Sequence, residues 1–178
     1  QLHRRINPVR YVVVFQNWLK PAGASFDHLH KQLVAIDEVG ADNESVLPKA
    51  VLDPGIFNRW GPDFAVEHGL VLACNEGAVM TVGFGHRYPS VEVWSTSRVD
   101  QPWRVDDEGI DAVSDLLHAA HVAVSDDVPA NEEWHYRPMG TGVTVPWRII
   151  LKLRISTLAG CEGGTKIYVN TISPAALA

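Results

Sequence analysis

His28, His30 and Gln32 stand at alternate positions and follow a short loop of small residues, Pro21-Ala22-Gly23-Ala24-Ser25. If residues 28–36 are extended, side-chain alternation puts His28, His30 and Gln32 on one face and Leu29, Lys31 and Leu33 on the other. Every buried donor or acceptor must find a partner, so a row of nitrogen-bearing side chains asks for a ligand, a metal or an internal network. A phosphate ester suits such a row. A neutral imidazole with one nitrogen fixed by a hydrogen bond offers the other as a nucleophile at phosphorus. Loop amides near Gly23, the Ser25 hydroxyl and the Asn17 and Gln32 amides could supply donors for the charge on phosphoryl oxygens, where most of such catalysis lies. Gln32 also restricts the chemistry: its amide can hold an acceptor but cannot serve as a general base for water.

The elements that must position these groups are legible in part. Residues 11–15 and 33–36 are apolar runs bounded by polar or turn-forming residues, and they predict buried strands on either side of the loop. Residues 37–54 turn polar and acidic and predict a surface connection. Residues 57–68 predict a short helix broken at Gly61-Pro62. Residues 70–73 and 78–84 predict two strands joined by a turn at 74–77, and residues 91–95 a third. Asp106, Asp107 and Glu108 form the acidic first turn of a helix whose apolar residues Ile110, Val113, Leu117, Ala120 and Val124 recur at helical spacing. Residues 131–140 predict a polar link, 147–155 a strand, 160–165 a hairpin-type connection and 166–171 a short strand, before Ser173-Pro174 opens a last helix. Strands dominate, connections are mostly short and one long helix packs on them, which predicts an α+β fold.

Composition narrows the function. The net charge of −6 disfavours the broad basic face that duplex nucleic acid needs, while leaving room for a local site for a small anion. No apolar run approaches the length of a membrane span and no signal peptide opens the chain, which predicts a cytoplasmic protein without a membrane partner. Cys74 and Cys161 lack metal-ligand spacing and read as buried free thiols. Gln1 and the short final helix suggest a piece of a longer polypeptide, extending before Gln1 and after Ala178.

The motif Phe15-x-Asn17, Ala22-Gly23-Ala24-Ser25 and His28-x-His30-x-Gln32 resembles the active-site segment of the galactose-1-phosphate uridylyltransferase branch of the histidine triad superfamily, which also holds diadenosine tetraphosphate and ADP-sugar phosphorylases. The resemblance implies an antiparallel histidine-triad-like sheet with packed helices, residues 1–50 closing a first repeat and residues 51–178 forming most of a second. It implies His30 as the nucleophile that forms a nucleotidyl-histidine, Gln32 on the phosphate, and Asn17, Gly23 and Ser25 as further phosphate ligands. His28 takes the position of a zinc ligand in some members, and either a metal or an orienting hydrogen bond suits it. No organic cofactor is implied. Pairing through sheets, frequent in these relatives, allows a homodimer. Where the second repeat often presents another His-x-His, this chain has Pro146 and Arg148, and Trp134-His135 resembles an element of that same second metal site.

Other residues take plainer readings. His118 and His121 read as surface residues of their helix, His86 and Arg87 as a turn with a solvated charge that could also reach a phosphate from its loop, Lys31 as solvated or packed on the partner repeat, and Asp27 as a loop cap or surface residue. The tryptophans read mainly as core or interface, with Trp18 able to border the ligand loop. Gly83-x-Gly85 is too short for a dinucleotide fingerprint. Three functions follow: a nucleotidyltransferase or phosphorylase working through nucleotidyl-His30 on a nucleotide sugar or dinucleoside polyphosphate, a dinucleoside polyphosphate hydrolase, or a non-catalytic nucleotide-binding or assembly protein that has kept the fold and lost the chemistry.

Overall fold

A computed structural model describes residues 9–26, 28–157 and 159–178. The expectation for Asp27 therefore lies outside the described residues. Among the described residues seven strands form one antiparallel sheet in the order β2-β1-β6-β7-β5-β4-β3. They are β1 (Tyr11–Trp18), β2 (Lys31–Ile36), β3 (Val71–Cys74), β4 (Ala78–Gly83), β5 (Ser90–Ser95), β6 (Ala130–His135) and β7 (Arg148–Leu153). The helices are α1 (Ala41–Leu52), α2 (Ile56–Arg59), α3 (Pro62–Glu67), α4 (Asp107–Val124), α5 (Gly160–Thr165) and α6 (Pro174–Leu177). The α+β architecture, the long helix and the split between α2 and α3 agree with the sequence.

α4 starts where the acidic cluster predicts. The Asp106 side chain caps it by accepting from the Gly109 N–H at 2.9 Å. One stripe of the helix buries Val113, Leu116, Leu117 and Ala120 with Met80, Val91, Val93, Ile149 and Leu151 of the sheet. The strand register carries one line of residues across this helix-covered face, Val82, Val91, Leu151, Glu132, Gln16 and Lys31. It is apolar under α4 and turns polar at β6. The opposite face holds the line Gly83, Ser90, Lys152, Asn131 and Asn17, and beside it Glu92, Ile150, Glu133, Phe15 and Gln32.

Four expectations fail for physical reasons. Residues 37–54 are not a mere connection: α1 forms despite Pro48 because it buries Ala50, with Val46 and Leu47, against Phe57, Trp94 and Val145. Residues 131–140 are not a link, because their first half is β6, central in the sheet. The polar side chains of Asn131, Glu132 and Glu133 are accepted there because each finds a hydrogen-bond partner. Residues 160–165 form α5 rather than a hairpin link. Residues 166–171 form no strand, since Lys166 turns left-handed at φ 61° and Val169 N–H donates to the Glu162 carboxylate at 3.0 Å instead of to a neighbouring strand. Both cysteines are free, and both are exposed rather than buried. Among the described residues no helix is long and apolar enough to cross a membrane.

Candidate active site

β1 ends by a sharp departure. Leu19 takes φ 63°, a single turn of 3-10 helix covers Lys20–Ala22, and Gly23 closes it at φ 87° with its N–H on the Lys20 carbonyl at 2.9 Å. Only glycine holds that left-handed conformation at no steric cost. A side chain begun at Gly23 would come within 3.9 Å of the Asn17 amide nitrogen, so the loop folds back over the end of β1.

β2 begins later than the alternation suggests. The last pair of the β1–β2 register is Gln16 with Lys31, and His28 to His30 lie in an irregular approach because β1 turns away at Leu19. Gln32 is in the strand, opposite Phe15. Asn17 and His30 stand one step beyond the last pair. His28 and His30 keep company without being strand neighbours: their ring centroids are 5.1 Å apart, and Phe26 lies 5.6 and 5.9 Å from them. Ser25 is exposed in the bend after the loop.

The hydrogen bond that matters most is short-range. His30 Nδ1 lies 3.0 Å from the His28 carbonyl oxygen. A carbonyl only accepts, so Nδ1 carries a proton, and in the neutral ring the lone pair falls to Nε2. That is the imidazole state a nucleophile needs.

Several site residues are not evident from sequence. Asn131 of β6 donates from Nδ2 to Asn17 Oδ1 and to the Ala22 carbonyl, both at 2.7 Å, and accepts from Arg154 Nη1 at 2.8 Å. It ties β1, the loop and the end of β7 together. Arg154 lies over the Tyr88 ring at 4.5 Å, and Arg87 lies over Tyr88 and Tyr168 at 5.2 and 5.5 Å. Arg87 is exposed, as a solvated turn residue would be, with its guanidinium lying against both rings. A cleft of about 440 Å³ opens between Pro21, Arg87, Tyr88, Arg154, Ser156 and Thr157. Two guanidiniums and two hydroxyls beside the loop suit a phosphorylated ligand. The signal for Asn131 was hidden because a strand with polar groups on both faces shows no apolar alternation.

Further along this face lies a charged layer. His86 Nε2 is 2.5 Å from Glu92 Oε1, so His86 is not a solvated turn residue. The Arg148 guanidinium lies 4.7 Å over Trp94, 5.5 Å over Phe57 and 3.8 Å from Glu92. Burial pushes the Glu92 carboxyl up, but the bonded His86 and nearby Arg148 outweigh it and hold the group below its ordinary range. His135 lies 3.5 Å from Glu133 Oε2, and burial pushes its imidazole down against the pull of that carboxylate. Among the described residues no group of three His, Cys, Asp or Glu side chains could hold a metal ion.

The family described as a domain of unknown function (DUF4921) matches residues 1–178. The chain belongs to it. No curated protein matches this DUF4921 chain in sequence. Its fold is similar to that of an ADP-glucose phosphorylase from Arabidopsis thaliana with bound ADP-glucose, at TM-score 0.81 and 21% identity over 96% of this chain and 58% of that one. A GalT-like protein from Arabidopsis thaliana gives 0.79 and 22% over 96% and 60%, and a uridylyltransferase 0.75 and 18% over 94% and 58%. The resemblance carried by residues 15–32 therefore holds at the level of the fold. The DUF4921 chain spans about three fifths of the length of these structures.

Proposed function

We propose that this chain transfers a nucleoside monophosphate from a nucleotide sugar or a dinucleoside polyphosphate through a covalent nucleotidyl-His30. The observation that carries the reading is the Nδ1–H hydrogen bond to the His28 carbonyl, which leaves Nε2 free to attack. The Nε2 lone pair forms an N–P bond at the α-phosphorus, and the bond to the leaving phosphate breaks with its electron pair on that oxygen. An acceptor phosphate oxygen then attacks the same phosphorus, and the N–P bond breaks to return the lone pair to Nε2. Asn17, Gly23, Ser25 and Gln32 hold the phosphoryl oxygens, and His28 supports His30 through its carbonyl. An anionic acceptor is preferred to water because Gln32 cannot serve as a general base and the cleft of Arg87 and Arg154 suits a second phosphate. The fold shared with an ADP-glucose phosphorylase and a uridylyltransferase supports the same class. The division into two repeats near residue 50 and a homodimer belong to this reading.

The test is incubation with labelled UDP-glucose, ADP-glucose or diadenosine tetraphosphate, followed by denaturation. An acid-labile, alkali-stable adduct is expected on the wild type and none on His30→Asn. No adduct with any of the three would overturn the proposal. Release of free nucleoside monophosphate at the same rate with and without added phosphate or sugar phosphate would make the chain a hydrolase instead.

A further inference from the structure

Lys31 separates the two proposed phosphate-handling residues, His30 and Gln32, and its side chain leaves on the other face of the sheet. β2 is an edge strand: among the described residues it pairs with β1 alone. Nothing in backbone pairing on that side fixes how far it slides or twists. On the α4 face the register aligns Lys31 with Gln16 of β1 and Gln16 with Glu132 of β6. The Lys31 ammonium reaches over Gln16 and donates to Glu132 Oε1, spanning two strand spacings, or about 9.6 Å. Glu132 is held in turn. Its side chain is 1% exposed, Trp134 Nε1 donates to Oε1 at 2.6 Å and His121 Nε2 of α4 lies 3.0 Å from Oε2. The Lys31 ammonium also lies 5.9 Å over the Trp134 ring.

An apolar residue at position 132 would continue the line of Val82, Val91 and Leu151. A carboxylate there is costly to bury, and it is retained with donors from three elements, β2, β6 and α4. Two of those elements already belong to the sheet's centre and its packed helix. Only β2 needs the tether.

We propose that Lys31 is a positioning residue that acts through Glu132 to fix the edge strand, so that His30 and Gln32 are presented to substrate at a set depth and angle. The inference rests on the proposed nucleotidyl-transfer reading. Lys31 acts from the face of β2 opposite to Gln32.

The experiment compares wild type, Lys31→Met and Lys31→Arg. The rate of adduct formation in the methionine variant is expected to fall about 10- to 100-fold, as for a displacement near 1 Å at a reacting group, with KM changed by less than about threefold. Arginine, which can still reach the carboxylate, is expected to restore most of the rate. A methionine variant within about twofold of wild type overturns the inference. So does an arginine variant as slow as the methionine one, or a slow rate fully explained by the unfolded fraction. Lys31 is partly exposed, so both variants are expected to fold. If the wild type forms no adduct, the functional reading fails first. The tether is then read from hydrogen exchange of the β2 amides bonded to β1, expected about tenfold faster in Lys31→Met, and unchanged exchange overturns it.

Discussion

His30 keeps its Nδ1 proton on a main-chain carbonyl, so asparagine, whose amide nitrogen stands near the Nδ1 position, retains a donor and loses the nucleophile. His30→Asn is expected to lower turnover by about a thousandfold or more, while its stability stays within the ±0.5 kcal/mol usual for a surface change. A parallel loss of stability, seen in urea unfolding, would mean the ring has a structural role. Asn131 differs because it is embedded. Asn131→Ala removes the donor to Asn17 and to the Ala22 carbonyl and the acceptor for Arg154. Leaving such groups unpaired costs about 1–3 kcal/mol each where water cannot reach them. Destabilisation of that order, with weaker substrate binding as the loop lifts from β1, is expected from unfolding curves and KM together. The proposed nucleophile and the loop before it could be singled out in the sequence because their residues lie close together along the chain. Asn131 and Arg154 could not be, since only the register of β1 with β6 and of β6 with β7 brings them beside that loop.

β6 is the element that the sequence hides best. Asn-Glu-Glu-Trp-His has the composition of a link, and pattern reading counts its polar side chains without knowing their partners. Lys31, His121, Lys152 and Arg154 supply those partners from three other elements. α4 was legible for the converse reason, because its cap and its apolar stripe are local. The same feature makes β6 sensitive to acid. Burial pushes the Glu132 carboxyl up, but hydrogen bonds from His121, Lys31 and Trp134 outweigh it and hold the group at about 2, below its ordinary 4.5. A carboxyl depressed in the folded state stabilises fully above its unfolded value and loses that contribution as pH falls through its folded value. The window therefore runs from about pH 5 down to pH 2, and the contribution at stake is up to about 3 kcal/mol. Urea unfolding of wild type and Glu132→Gln across that range is expected to converge toward low pH. Curves that stay parallel would remove Glu132 from the acid response.

At the scale of the molecule, the proposed nucleophile depends on a strand far along the chain. β1 and β2 alone make a two-stranded hairpin, which is marginal in water. They gain a core only because β1 pairs with β6 over Val14–Trp134 through Trp18–Ala130, and β6 pairs with β7. Residues 11–36 are thus coupled to 130–153 more strongly than to the segment that follows them. α1, although unexpected from its composition, packs on the second core around Phe57, Trp94 and Val145 and not on β2. The proposed repeat boundary near residue 50 consequently crosses a continuous sheet, and separate unfolding of the two parts is not expected. Trp18 on β1, Trp134 on β6 and Trp147 beside β7 report from three places along that sheet. Tryptophan fluorescence, far-ultraviolet circular dichroism and adduct formation by His30 should then lose their signals at one denaturant midpoint. Adduct formation lost first, with the fluorescence of Trp134 and Trp147 retained, would show that the β1–β2 hairpin detaches as its own unit. The register pairs between β1 and β6 would then contribute less than the geometry implies.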